Sequence, residues 1–319
     1  MPFVTSRRSA HLPALALTFN ALVWGTSWWP FRQLEARGVH PLWTTFLVYG
    51  LCVLVIVGLR PAAVPQLLRT PALWVLVLAA GATNAAFNWG VVIGDVVRVV
   101  LLFYLMPLWA VLLARWLLLE PLTRSAAARA ALALAGAGVV LWPESVVGAS
   151  AWPWPRSLAD WLGVLGGFSF ALNNVMLRRQ AHQPEEARAL AMFAGGAVVS
   201  GVLAGLLALQ GTLPWPVAPD WPLAPWALGL ALLFLLGNLA LQYGAARLRA
   251  NVTSVIMLTE VLFASGSALL LGGGVLTPPL VAGGAMILFA AVLSTLEAPA
   301  PPPATPALPS TDSIDSRSP

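Results

Sequence analysis

Asn84-Ala85-Ala86-Phe87-Asn88-Trp89-Gly90 is the stretch on which the reading of this chain turns. It has an echo at Asn238-Leu239-Ala240-Leu241-Gln242-Tyr243-Gly244, 154 positions later. Each copy presents two carboxamides one helical turn apart, then an aromatic ring and a glycine, within a run that is otherwise apolar. The same shift carries Leu122-Thr123 onto Leu276-Thr277. A constant offset of this kind is the mark of an internal repeat. Amides are uncommon in stretches long and apolar enough to cross a bilayer. Their pairing predicts two halves facing each other across a polar-lined cavity.

Composition supports a membrane setting. The chain is 59% hydrophobic and 9% charged, with a mean hydropathy of +0.82. A soluble domain carries about 25% charged residues. Apolar runs of about 18 residues or more recur, each able to span hydrocarbon about 30 Å thick. Backbone groups in lipid must be satisfied within the segment, so the runs are read as helices. The first is not followed by a recognisable cleavage site and is read as a retained span.

Ten spans are predicted, over 12–31, 41–59, 72–93, 97–119, 125–142, 158–177, 189–210, 225–246, 250–271 and 275–296. They form an N-terminal five-helix repeat within 1–142, an outer Trp/Pro-rich connector at 143–157 and a C-terminal repeat at 158–296. The Pro/Ala/Ser/Thr-rich stretch 297–319 reads as a disordered cytoplasmic tail. The expected fold class is an all-α integral membrane protein whose two five-helix repeats surround a central cavity.

All seventeen basic residues are arginines. With the N-terminus inside, thirteen fall on inner segments, and only Arg32, Arg37, Arg98 and Arg156 lie outside. That asymmetry satisfies the positive-inside rule and places both termini in the cytoplasm of a bacterial inner membrane. Scatter of the arginines over helix ends argues against a nucleic-acid surface despite a pI near 10.6. Trp28, Trp29, Trp43, Trp142, Trp152, Trp154, Trp161, Trp215, Trp221 and Trp226 cluster at the outer helix ends, where indoles favour the interface. Five helices per repeat require the second to enter from the opposite side, so the repeats are inverted. Secondary transporters commonly use that plan. The lone Cys52 excludes an intramolecular disulfide and reads as a packed residue.

At the fourth and ninth spans the chain resembles the EamA-type drug/metabolite transporter superfamily. The first-half signature is Leu105-Met106-Pro107-Leu108-Trp109-Ala110, then Leu119-Glu120-Pro121-Leu122-Thr123. Its partner is Leu258-Thr259-Glu260-Val261-Leu262-Phe263-Ala264 with Gly273-Gly274-Val275-Leu276-Thr277. The opening Leu22-Val23-Trp24-Gly25-Thr26-Ser27 is similar to the family's first-helix pattern. The chain departs from the family at Val261, usually Pro, and at Gly274, usually Glu. The resemblance implies a ten-helix exporter of metabolites, with spans 1–4 and 6–9 around the cavity. The amino-acid-exporting branch, which includes aromatic amino-acid exporters, fits it best.

Several residues are candidates for transport. Glu260 is a carboxylate deep within a span, where an ionised acid must be paired or protonated. It reads as a proton-coupling group or a partner for a substrate ammonium, or else as a neutral acid bonded to Thr259 or a neighbouring helix. Asn84, Asn88, Asn238 and Gln242 either hold substrate or tie helices together, a contribution of roughly 1–2 kcal/mol at most. Asn20, Asn173 and Asn174 are further candidates of that kind. Among mid-span aromatics, Trp24, Trp89, Tyr104 and Tyr243 are expected at the cavity. Tyr49, Trp109, Phe168 and Phe170 supply further ring surface. Pro107 and Pro30 are candidate hinges, or static bends.

No cofactor and no metal site is expected. His11, His40 and His182 lie outside the spans, and no span pairs a nucleophile with a base, which argues against an enzyme. Nothing suggests a carbonyl filter or charged ring for a channel. A nucleotide-sugar carrier would need mid-span arginine. The expected partners are a small-molecule substrate, an amino acid or similar metabolite, the lipid bilayer and protons.

Overall fold

The computed structural model describes residues 11–117, 123–142, 154–180, 182–216, 224–245, 256–257 and 259–296. Thirteen helices are resolved among them: α1 (His11–Thr26), α2 (Trp28–Glu35), α3 (Pro41–Leu59), α4 (Ala63–Arg69), α5 (Pro71–Ile93), α6 (Val96–Phe103) and α7 (Met106–Leu117). They continue as α8 (Arg124–Val140), α9 (Leu158–Arg179), α10 (Glu185–Leu209), α11 (Ala224–Ala245), α12 (Thr259–Leu271) and α13 (Pro278–Leu296). No strand occurs among the described residues.

Local chemistry sets the helix ends. Pro41, Pro71 and Pro278 open α3, α5 and α13, at the position where a missing N–H costs nothing. Asp95 caps α6 by accepting from the Arg98 N–H at 2.9 Å, and Thr123 caps α8 through the Ala126 N–H. At α9 the Ser157 hydroxyl accepts from the Asp160 N–H while the Asp160 carboxylate accepts from the Ser157 N–H, a reciprocal capping box.

Five segments have both the length and the hydropathy to cross a membrane: Pro41–Leu59, Pro71–Ile93, Val96–Leu117, Glu185–Leu209 and Ala224–Leu241. α12 and the run Pro278–Leu293 are apolar but shorter. Large apolar side chains on the bundle's outside, such as Leu54 at 69% and Leu270 at 87% exposure, fit a lipid rather than a water boundary. The chain is a multi-pass helical membrane protein.

Several expected spans take a different form. The first stops at Thr26, and the chain resumes as α2 after Ser27. Pro30 has no N–H for the Thr26 carbonyl, so the helical ladder cannot run through. The fourth is interrupted at Tyr104–Leu105, where Pro107 leaves the Phe103 carbonyl without its partner. The short α4 occupies a linker expected to be a loop. The connector 143–153, the start of the ninth span and the tail lie outside the described residues, as do Glu120, Pro121 and Leu122.

Packing runs mainly between the N-terminal and C-terminal halves. α1 packs on α11 and α12, while α9 packs on α5 and on α6–α7. α3 meets α10 and α11, α5 meets α10, and α8 meets α13. Exchanging the halves maps this set of pairs onto itself. Glycines permit the closest crossings: a Cβ on Gly195 would lie 2.1 Å from the Val77 carbonyl, and one on Gly283 2.5 Å from that of Gly136. The α5–α10 and α8–α13 contacts are therefore nearly backbone on backbone.

Candidate substrate cavity

A cavity of about 320 Å³ lies where α1, α3, α5, α6–α7, α9, α10, α11 and the Met257–Glu260 segment converge. Its size falls in the range of about 300–1,000 Å³ usual for small-molecule sites. Six pairs of wall residues are related by the 154-residue shift: Asn20 and Asn174, Ala80 and Phe234, Asn84 and Asn238, Phe87 and Leu241, Phe103 and Met257, Met106 and Glu260. Five of the pairs match in charge. The sixth sets a carboxylate against a thioether.

Glu260 reaches the wall because α1 and α12 cross closely. A Cβ on Gly25 would stand 2.7 Å from the Glu260 carbonyl, so only glycine allows this approach. Tyr104 lines the wall beside Glu260. Tyr104 sits at the break between α6 and α7, so the interruption above Pro107 sets its place on the wall. The Thr259 hydroxyl donates instead to the Ile256 carbonyl at 2.6 Å.

The amides divide into two groups. Asn84 lines the cavity, accepts from the Tyr49 hydroxyl at 2.5 Å and donates to the Ala80 carbonyl at 2.8 Å. It is at once a wall group and a tie between α5 and α3. Asn88, one turn along, is 1% exposed, donates to Thr45 at 3.1 Å and stays off the wall. Asn20 and Asn173 line the cavity while fully buried, and the Oδ1 of each has no hydrogen-bond donor. Buried acceptors without partners are rare, and the Oδ1 of Asn88, off the wall, is a third. Asn174 and Asn238 also line it.

Aromatic rings form most of the remaining surface. Trp24 stacks on Phe234 with centroids 4.8 Å apart, and Tyr49 meets Phe193 and Phe234 at 5.6 Å each. Phe87, Phe103 and Phe170 make a second group of edge and tilted contacts. Among the described residues, no arginine or histidine lines the cavity.

The structure thus brings Asn20, Trp24, Asn84, Tyr104, Asn238 and Glu260 together on one wall. Trp89 is elsewhere: it packs beside Leu42 and Trp43 and meets His40 edge-on at 5.2 Å. Tyr243 is not on the wall. The side chains of Gln242 and Pro107 lie outside the described residues. Pro30 borders a different cleft. Thr83, Phe87, Phe103, Met106, Phe193, Phe234 and Met257 were not singled out in the sequence. The 154-residue shift, applied to Glu260, carries the signal for Met106.

Beyond the cavity, at the end carrying α2, the halves are stitched together. The Arg32 guanidinium donates to the carbonyls of Val91, Gly94 and Gly273 at 3.3, 2.5 and 3.5 Å. Asp95 accepts from the Val275 N–H at 2.9 Å, and the Val96 N–H donates to Gly273 at 3.0 Å. The Trp28 indole donates to Ser267 at 2.9 Å. Nearby, Arg98 pairs with buried Asp160 at 2.6 Å and donates to the Val140 carbonyl, joining the starts of α6 and α9 to the end of α8. Neither network was evident from sequence, because the partners stand 42 to 241 positions apart.

A helical bundle in lipid, closed at one end over an aromatic, amide-lined chamber, is the architecture of a membrane transporter of small solutes. Residues 11–142 match the EamA-like transporter family, a match that supports membership of the drug/metabolite transporter superfamily. No curated protein matches the chain. Fourteen chains of solved structures do; one, titled "Crystal structure of protein", superposes with a TM-score of 0.54 at 22% identity. The match covers 91% of this chain and 98% of that one, and shows a shared fold.

Proposed function

We propose that the protein exports small metabolites by alternating access, with amino acids, aromatic or neutral ones among them, as its principal substrates. The observation that carries the reading is the Glu260 carboxylate, beside Tyr104, in an aromatic chamber whose described wall has no basic group. An ammonium suits that acid, and the faces of Trp24 and Tyr49 favour a cation or a ring. A carboxylate would find amide donors instead. Asn84 gives one N–H to Ala80 and has a second. The same acid is the candidate site for a coupling proton.

Two features support opposed five-helix repeats, 1–142 and 158–296, around the chamber. Helix pairing is unchanged when the halves are exchanged, and wall residues recur at the repeat shift. The arginine bias supports cytoplasmic termini in a bacterial inner membrane. On that orientation the stitched end faces outside, and the state is closed to the exterior.

Counterflow in proteoliposomes with a panel of labelled amino acids, at several pH gradients, tests the reading. Aromatic and neutral amino acids should exchange, and Glu260→Gln should cut exchange by about ten-fold or more, the weight of one hydrogen-bonded charge. Failure of every amino acid would move the assignment to a drug, nucleobase or sugar derivative. Open-pore conductance would make the protein a channel. Normal exchange by Glu260→Gln with an unchanged pH profile would remove the acid from the mechanism.

A further inference from the structure

A second space, of about 520 Å³, lies on the flank of the bundle, where α11 and α12 both pack against α1. Its wall is almost wholly apolar, with Val23, Leu230, Leu233, Phe234 and Leu271 among the lining side chains. Leu233 and Leu271 are 42% and 53% exposed, so the space opens sideways. Gly229 borders it, and a Cβ there would meet nothing within 4 Å. At its mouth Trp29 and Trp226 stand with ring centroids 5.7 Å apart, and the Arg37 guanidinium lies 5.5 Å above the Trp226 ring. Arg37 is exposed and makes no ion pair among the described residues.

We propose that this cleft is a phospholipid site: one acyl chain lies between α11 and α12, and the lipid phosphate sits on Arg37. Three observations point the same way. From Trp226 to Phe234 the wall follows eight residues of helix, about 12 Å at 1.5 Å per residue. That approaches the depth of one leaflet, half of a core about 30 Å thick. Paired indoles at the mouth mark headgroup level. The Arg37 guanidinium just above them gives one N–H to the Gln33 carbonyl at 2.6 Å and keeps further N–H donors for a phosphate. With the stitched end outside, the lipid belongs to the outer leaflet.

Phe234 gives the site a consequence. One side of its ring borders the cleft, and the other borders the central cavity and stacks on Trp24. A seated acyl chain therefore backs the cavity wall from behind. The site depends on the chain spanning a membrane, not on which solute it carries.

The test uses the full-length protein in vesicles doped with a phospholipid bearing a photoreactive diazirine in its acyl chain, read by peptide mass spectrometry. A matched diacylglycerol probe lacks the phosphate. Labelling should concentrate on 226–234 and 267–271 over equally lipid-exposed positions such as Leu54 and Leu78. It should fall about ten-fold with the diacylglycerol probe and in Arg37→Gln, the weight of one charge-assisted contact. Gly229→Phe should abolish it by filling the cleft without touching Arg37. Labelling no stronger than at Leu54 and Leu78, or indifferent to both phosphate and Arg37→Gln, would reduce the cleft to ordinary bilayer contact and overturn the proposal.

Discussion

At the scale of single residues, position in the fold decides between chemically similar groups. Asn84 and Asn88 share a helix and a face, yet one borders the cavity and the other is sealed against Thr45. His40 shows how far burial can shift an ordinary group outside the spans. It caps α3 by accepting from the Leu42 N–H through Nδ1, and burial lowers its pKa to about 4. An unfolded chain takes up that proton near 6.5, so acid favours unfolding. Stability from neutral His40 is complete above about 6.5 and is lost as pH falls towards 4. The melting temperature of the purified protein should decline across that window, and less steeply in His40→Asn, which keeps a cap that does not titrate. Parallel declines would show that His40 is not responsible.

Elements are joined here by glycine contacts more than by interlocking side chains. Gly195 on α10 leaves no room above the Val77 carbonyl of α5, whereas Gly205 on the same helix has open space around it. Gly195→Leu should destabilise the protein by at least the roughly 1–3 kcal/mol typical of overpacking. Gly205→Leu should be close to neutral. Thermal unfolding of both variants in one detergent checks the contrast, and equal losses would refute the assigned crossing. Much of this scale could be read in the sequence: α3 starts at Pro41 as expected, and α5 at Pro71, one residue before the expected start. Apolar runs and prolines are local signals, and Pro30 marks the break at Ser27. The helix α4 and the edge contact of Trp89 with His40 depend on what each segment meets, and hydropathy carries no record of neighbours. Charge pairs such as Arg98–Asp160 are invisible for the same reason.

For the molecule as a whole, the stitched end and the cavity lie at different depths. On α5, seven residues separate Asn84 from Val91, about 10 Å of helix. If the halves rock against each other, the bonds that must part are those of Arg32, Asp95 and Gly273. Arg32→Ala removes the donors to three carbonyls. It should raise reaction of Thr83→Cys, in a Cys52→Ala background, with an impermeant thiol reagent from that side by about ten-fold. An unchanged rate would mean that the stitches hold nothing shut. The cavity amides were legible because they stand out against apolar sequence; the stitches were not, since each is made largely by backbone groups that any residue could supply.

The mismatch of Met106 with Glu260 reaches further than either residue. With the opposed repeats proposed above, both faces of the membrane would be treated alike, and symmetry alone could not give the protein a preferred direction. Any one-way tendency must come from positions where the duplicates disagree. The acid that has only a sulfur for its twin is such a position, placed where cargo would rest.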